Sequence, residues 1–431
     1  MESAAFNEGL LQFIAASPTP FHATRNLFNL LTGAGFIPLD EAGRWELKPG
    51  QAYVVTRNDS SLIAFRVGRS GTAADGVRLA GAHTDSPCLK LKPNPDLRRN
   101  GYLQLGVEVY GGALLNPWFD RDLSIAGKLS YVDADGGLHT RLVDVGRPVA
   151  VIPSLAIHLD REVNQQRSIN AQQHLPAILL QGGEDQSLEQ LLLEHLQQTE
   201  ECRDARRILS HELSLYDTQP PALVGWHQQF IAAARLDNLL SCYLACRSLL
   251  DCDGEHFSLL VCNDHEEVGS TSASGAQGPF LKSVLQRLLA AGKQDSDSVA
   301  RLSQQSLMLS IDNAHGVHPN FADKHDPAHS PLLNGGPVIK INANQRYASN
   351  SDGVARFRQI CERLNVKTQA FVMRSDLACG STIGPLTAAQ TGINTVDIGV
   401  ATFAMHSIRE LAGADDAANL SRVVCAFFNR L

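Results

Sequence analysis

Three kinds of hydrophobic pattern follow one another along the chain, and their order predicts its organisation. To about residue 35, apolar positions recur at helical spacing on either side of Ser17-Pro18-Thr19-Pro20, which breaks the run, so two helices are expected. Short strands follow, and Val77-Arg78-Leu79-Ala80-Gly81-Ala82 leads into His83. Beyond Pro93 the period becomes two. Leu103, Leu105, Val107 and Val109 alternate with mostly polar or small partners between Tyr102 and Tyr110, and Ile125 to Val132 and Leu142 to Ile152 read alike, as half-buried strands. One helix is expected among them, Leu188 to Leu196, opened by a capping box of Ser187 and Gln190.

After Trp226 the pattern changes again. Asp237 opens a helical stretch whose apolar stripe is Leu239, Leu240, Tyr243, Leu244 and Leu249. Phe257 to Cys262 and Leu307 to Ile311 are short, uninterrupted apolar runs followed by polar residues, as in strands buried on both faces of a parallel sheet. Amphipathic helices such as Phe280 to Ala291 intervene, and a helix carrying Leu420, Val423, Val424, Phe427 and Phe428 closes the chain. The expected fold class is α/β. Residues 1–93 and 231–431 form one domain around a mostly parallel central sheet flanked by helices, and residues 94–230 form a β-rich insert.

Composition narrows the functions. A formal charge of -8 without a basic tract argues against a nucleic-acid surface. No apolar run reaches the ~20 residues needed to span a bilayer, and Met1-Glu2-Ser3-Ala4 does not begin a secretory signal. The nine cysteines lack CxxC spacing and read as reduced thiols of a cytoplasmic protein.

The chemistry lies where apolar runs end. His83-Thr84-Asp85, Asp237-Asn238, Glu266-Glu267, Asp312 and Met405-His406-Ser407 supply two imidazoles and several carboxylates. In open α/β sheets such strand ends converge on the ligand site. Singly, each has a bland reading: Asp237 as a helix N-cap, a Glu-Glu pair as solvated surface. Together, beside buried sequence where unpaired charge is costly, they predict a site for two divalent metals. Asp237 is the expected bridge, with His83 and Asp312 completing one metal and Glu267 and His406 the other. Asp85 is placed to accept the second N–H of His83, and Glu266 to serve as general base.

These residues belong to longer stretches that resemble the M18 family of metallo-aminopeptidases, the aspartyl aminopeptidases. They include Ser17-Pro-Thr-Pro-Phe-His22, Ala80-Gly-Ala-His-Thr-Asp85, Pro153-Ser-Leu-Ala-Ile-His-Leu159, Arg235-Leu-Asp-Asn238, Asp264-His-Glu-Glu-Val-Gly-Ser270, Asp312-Asn-Ala-His-Gly-Val-His318, Gly336-Pro-Val-Ile-Lys340, Asn344-Gln-Arg-Tyr-Ala348, Cys379-Gly-Ser-Thr-Ile-Gly384 and Ala404-Met-His-Ser-Ile-Arg-Glu410. The resemblance implies a peptidase with two zinc ions per subunit, held by His83, Asp237, Glu267, Asp312 and His406, with Glu266 as general base. Cobalt or manganese suits the same mixed donors. It also implies that the insert drives dimerisation and further assembly, into a tetrahedral homo-oligomer of twelve subunits that admits peptide substrates. His158 matches a histidine that reaches a neighbouring subunit's active site; a role as a third zinc histidine is the alternative. Lys340 matches the lysine that binds an acidic N-terminal side chain, and His315 and Tyr347 match further substrate contacts. The family's members that prefer neutral or apolar N-terminal residues, a deacylase with the same metals, and a non-catalytic assembly protein are the competing expectations.

Overall fold

The apolar runs that precede the polar clusters are neighbouring strands. The computed structural model describes residues 3–69, 71–183, 185–295 and 297–430. Ser258–Asn263, Arg78–His83, Leu307–Ile311 and Asn394–Gly399 lie side by side and parallel at the centre of a nine-stranded sheet. Their register aligns the ends that carry chemistry: Asn263 pairs with His83, and Ile311 with Ile398.

The sheet as a whole is mixed, which corrects the mostly parallel expectation. Ala52–Arg57 and Ser61–Arg66 pair antiparallel, and the second is also antiparallel to Ser258–Asn263. The cause is local. Asn58 and Asp59 both adopt positive φ, 56° and 57°, so Arg57 to Ser61 closes as a tight hairpin, which admits only antiparallel strands. On the far side Val338–Lys340 runs antiparallel to Asn394–Gly399 and parallel to Gln369–Phe371.

Strand residues alternate between two cores. Ala80, Ala82, Leu260 and Cys262 face a layer with the helices Ser3–Ala15, Pro20–Gly33, Leu236–Asp251, Ser351–Arg363 and Asp416–Phe428. Leu79, Leu259, Val261 and Met308 face the other, with Phe280–Ala291, Asp297–Gln305 and Ile383–Thr391. The two helices expected before residue 35 thus form, and Phe280–Ala291 has the bounds read from its pattern.

Contacts divide the chain into two units. One comprises the residues up to Ser86, Pro221–Met405 and those from Glu410 on; the other comprises Pro87–Pro220 and His406–Arg409. The second unit is built on a six-stranded, wholly antiparallel sheet. Leu89, Leu105, Ile125, Leu129, Leu213 and Leu215 form its core with Leu188, Leu192 and Leu196 of the helix Leu188–Gln197. That helix starts with the expected capping box of Ser187 and Gln190. The stretch expected as one strand from Leu142 to Ile152 divides: Leu138–Asp144 is a strand, and Ala150 and Val151 make only isolated bridges. No disulfide joins any of the nine cysteines, all of which lie among the described residues. Among the described residues no helix is long and apolar enough to cross a membrane.

Candidate metal centre

Backbone geometry delivers five acids and one imidazole to the ends of the parallel strands. His83 is the last residue of its strand, and Asp312 follows Leu307–Ile311 directly. Asp312 donates its N–H to the carbonyl of Ile398, which fixes it against the neighbouring strand. Gly399 adjoins it so closely that an added Cβ would meet the Asp312 carbonyl oxygen at 1.8 Å.

Glu266 and Glu267 sit in a one-turn 3-10 helix, Glu266–Val268, just beyond Ser258–Asn263. The turn is bounded by left-handed residues, His265 at φ 64° and Gly269 at φ 95°. Asp85 holds it in place. This fully buried carboxylate accepts the Glu266 N–H at one oxygen and the Glu267 N–H at the other, each at 3.1 Å.

Asp237 lies at the irregular start of Leu236–Asp251, where Asp237 and Asn238 depart from helical φ/ψ. Its N–H donates to Glu410 Oε2 at 2.9 Å, and its carbonyl accepts from the Ser86 hydroxyl. The same helix is stitched to both ligand-bearing strands. Asn238 Nδ2 donates to the Ile311 carbonyl at 2.9 Å, and Cys242 Sγ to the His83 carbonyl at 3.0 Å.

The side chains then converge. His83 Nε2 lies 3.4 Å from Asp237 Oδ1 and 3.7 Å from Asp312 Oδ1. His83, Asp237 and Asp312 each offer a ligand atom within 4.8 Å of the others, as do His83, Glu266 and Glu267. His83, Asp85, Asp237 and Asp312 are all buried. Lys340, 2 % exposed, donates from Nζ to Asp312 Oδ2 at 3.2 Å and to the Asn313 carbonyl at 3.1 Å, and lies 5.0 Å from the centre of the Tyr347 ring.

Electrostatics show what the cluster lacks. Burial, then repulsion from Asp312, Asp85 and Asp237, pushes Glu266 up to about 7. Burial, then Asp237, holds Glu267 well above the usual carboxylate range. Burial opposes charge on His83, yet Asp237, Asp312 and Asp85 together outweigh it and hold the imidazole well above 6.5. Carboxylates that protonate and an imidazole that charges both signal missing positive charge. A divalent cation fits this donor set of carboxylate oxygens and one imidazole nitrogen, which suits zinc.

The expected residues fall into two groups. His83, Asp85, Asp237, Glu266, Glu267, Asp312, His315, Lys340 and Tyr347 all belong to the first unit. His406 and His158 belong to the second. There His406 Nδ1 lies 3.1 Å from the Gly112 carbonyl, and His158 is exposed on the segment between Ile152 and Ala171. Asp85 faces both His83 and the Glu266–Glu267 turn. His83 Nδ1 is nearer the Asp85 backbone carbonyl, at 3.0 Å, than its carboxylate, at 3.4 Å, because the carboxylate is turned to the Glu266 and Glu267 amides. Sequence reasoning also passed over Glu410, whose only signal was its place at the end of the Ala404–Glu410 stretch.

Comparisons with known proteins agree with one another. Residues 13–428 match the family model described as aminopeptidase I zinc metalloprotease (M18). A probable M18 family aminopeptidase 2 of Pseudomonas aeruginosa (strain UCBPP-PA14) is 57 % identical over 426 residues, covering 99 % of this chain and 98 % of that protein. A cryo-EM structure of the Ape4 and Nbr1 complex contains a chain 36 % identical to this one, with a TM-score of 0.95 over 99 % of this chain and 86 % of that one. The S. cerevisiae mApe1 dodecamer is 29 % identical, with a TM-score of 0.85 over 99 % of this chain and 96 % of that one.

Proposed function

Given that this chain belongs to the M18 family of zinc metallo-aminopeptidases, we propose that it removes acidic residues from the N-termini of peptides, with two zinc ions per subunit and Glu266 as general base. The observation that carries the reading is a buried ammonium, Lys340, bonded directly to a carboxylate of the candidate metal cluster. An N-terminal side chain beside the metals would therefore meet a cation.

His83, Asp237, Asp312, Glu267 and His406 would hold the metals, with Asp237 between them. His406 follows Met405 of the first unit directly in sequence, which supports its joining this set. Bound zinc supplies the Lewis acidity that makes a peptide carbonyl electrophilic and a water acidic near neutral pH, and cobalt or manganese would supply it too. Glu266, carried beside the cluster by its one-turn helix, accepts the proton of the attacking water and returns it to the leaving amine. Asp85 fixes the backbone of the turn from which Glu266 works. His158 steadies the developing oxyanion from a neighbouring subunit, and His315 and Tyr347 contact the substrate. Lys340 has three N–H donors, and Asp312 and Asn313 take two. The third serves the substrate carboxylate, and a neutral residue in that place leaves it unsatisfied.

Residues 94–230 act as the dimerisation and oligomerisation domain in this reading. The subunits form a tetrahedral homododecamer that encloses the sites and restricts substrates to peptides; the relative described as a dodecamer supports the number of subunits alone. The protein works in the cytoplasm, without nucleic-acid or membrane partners. Hydrolysis of chromogenic Asp, Glu, Ala, Leu and Lys substrates by the zinc-loaded protein tests the specificity. Turnover confined to Asp and Glu is expected. Preference for Leu or Ala would keep the chemistry and overturn the role of Lys340.

A further inference from the structure

Next to the candidate metal cluster, in the first unit, is a cavity of about 270 Å³. His315 connects the two. Its ring lines the cavity, and the same imidazole feels the charges of Lys340, Asp237 and Asp312. Four further rings and two thioethers contribute to the other walls: His318, His325, Phe371, Phe403, Met373 and Met405. The rings meet edge-on or tilted, His315 and His325 against Phe371 at 5.4 and 6.4 Å, and His318 against Phe403 at 5.3 Å.

The cavity's two cations each have an acidic neighbour. Arg374 donates to both carboxylate oxygens of Asp376 and to the Asp323 carbonyl, and Lys324 lies 3.7 Å from Asp323. Burial, then Lys340, depresses His315 to about 4, and burial lowers His325, so both rings are neutral near pH 7. Lys340 itself does not line the cavity. An acidic side chain finds its cation elsewhere, whereas an apolar or aromatic one finds ring edges, ring faces and sulfur.

We infer that this cavity binds the side chain of the second residue of the peptide, the first beyond the scissile bond, and selects an apolar or aromatic group there. The inference rests on the proposal that Lys340 receives the N-terminal side chain. One residue of extended chain spans only ~3.3–3.6 Å, so the next side chain must lodge close to the cluster. The cavity flanking His315 meets that condition, and its volume accommodates one large side chain.

The test is kcat/KM for tripeptides Asp-X-Gly and Ala-X-Gly, with X as Phe, Leu, Ala, Lys or Glu, on the zinc-loaded oligomer. Phe and Leu are expected to exceed Ala by about 10- to 100-fold within each series, the gain from burying a large apolar side chain. Phe403→Ala is expected to reduce the Phe-to-Ala ratio by about 10-fold. Leu377→Asp, at the cavity wall, is expected to reverse the preference toward Lys and serves should Phe403→Ala fail to fold. Equal rates across X would overturn the inference. So would a faster release of N-terminal Phe than of N-terminal Asp, because the cavity would then hold the first residue. An X-dependence equal in both series, without any Asp advantage, would sustain the cavity's role while removing that of Lys340.

Discussion

Replacing Asp85 by asparagine tests whether the Glu266–Glu267 turn depends on a carboxylate beneath it. Asp85 is fully buried and accepts two backbone N–H groups at 3.1 Å, one per oxygen. Hydrogen bonds to a charged group contribute about 1.5–3 kcal/mol each. Asparagine keeps one acceptor oxygen but turns an NH2 toward the second amide. One bond is lost, and a buried N–H without an acceptor costs a further ~1–3 kcal/mol. Part of this is returned. Asp264 is raised to about 6, first by burial and then by the charge of Asp85, so neutralising Asp85 relieves repulsion. A net loss of about 2–4 kcal/mol, concentrated at the turn, is the expected result. His83 keeps its anchor, since Nδ1 is nearer the Asp85 backbone carbonyl, which the substitution leaves in place. The assay is kcat and KM on the zinc-loaded enzyme, with zinc retention measured by chelator competition and a crystal structure of the variant. The expected outcome is a kcat lower by about 10- to 100-fold, with the His83 ring in place and the turn displaced. Wild-type kcat would refute the reasoning, as would an undisturbed turn beside a rotated His83.

Other perturbations probe neighbouring parts of the site. Glu266→Gln should lower turnover by several orders of magnitude while metal content and assembly persist; unchanged turnover would remove Glu266 as general base. Lys340→Met leaves the buried Asp312 carboxylate without its ammonium, and should cost about 3–5 kcal/mol of stability before zinc is added, read by urea denaturation. Gly399→Ala drives a methyl group into the Asp312 carbonyl, where no rotamer offers relief; a loss of about 1–3 kcal/mol and weaker zinc retention are expected. Removing metal with a chelator should abolish turnover and lower Tm, and titrating zinc back should restore both.

Much of the site was legible because buried charge leaves a plain mark in sequence. Runs such as Leu307 to Ile311 end abruptly in acids, and strands of one parallel sheet share an end where those acids meet. What sequence left open depended on orientation. Nothing in the spacing of His83 and Asp85 shows that the carboxylate turns to two amides 181 and 182 residues further along the chain while its own carbonyl lies 3.0 Å from the imidazole. Glu410 was hidden for the same reason, since its partner is a backbone N–H that carries no residue signature. The sheet was read as too parallel because Asn58-Asp59 lies between two apolar strands and its meaning resides in two positive φ angles. The aromatic cavity was invisible, being assembled from segments around His315, Phe371 and Phe403 that have no common period.

The separation of His83, Asp237 and Asp312 along the chain also bears on how the protein matures. No two of the three lie in one helix or hairpin, and the residues between the first and second include the whole antiparallel sheet of the second unit. No short fragment can therefore gather this ligand set. The nascent chain must be synthesised beyond Asp312, and distant strands must pair, before the three side chains meet. Metal capture by these three residues thus follows the pairing of the strands that carry His83 and Asp312. A copy truncated before Asp312 would lack the means to hold the metal, and so would carry no proteolytic activity.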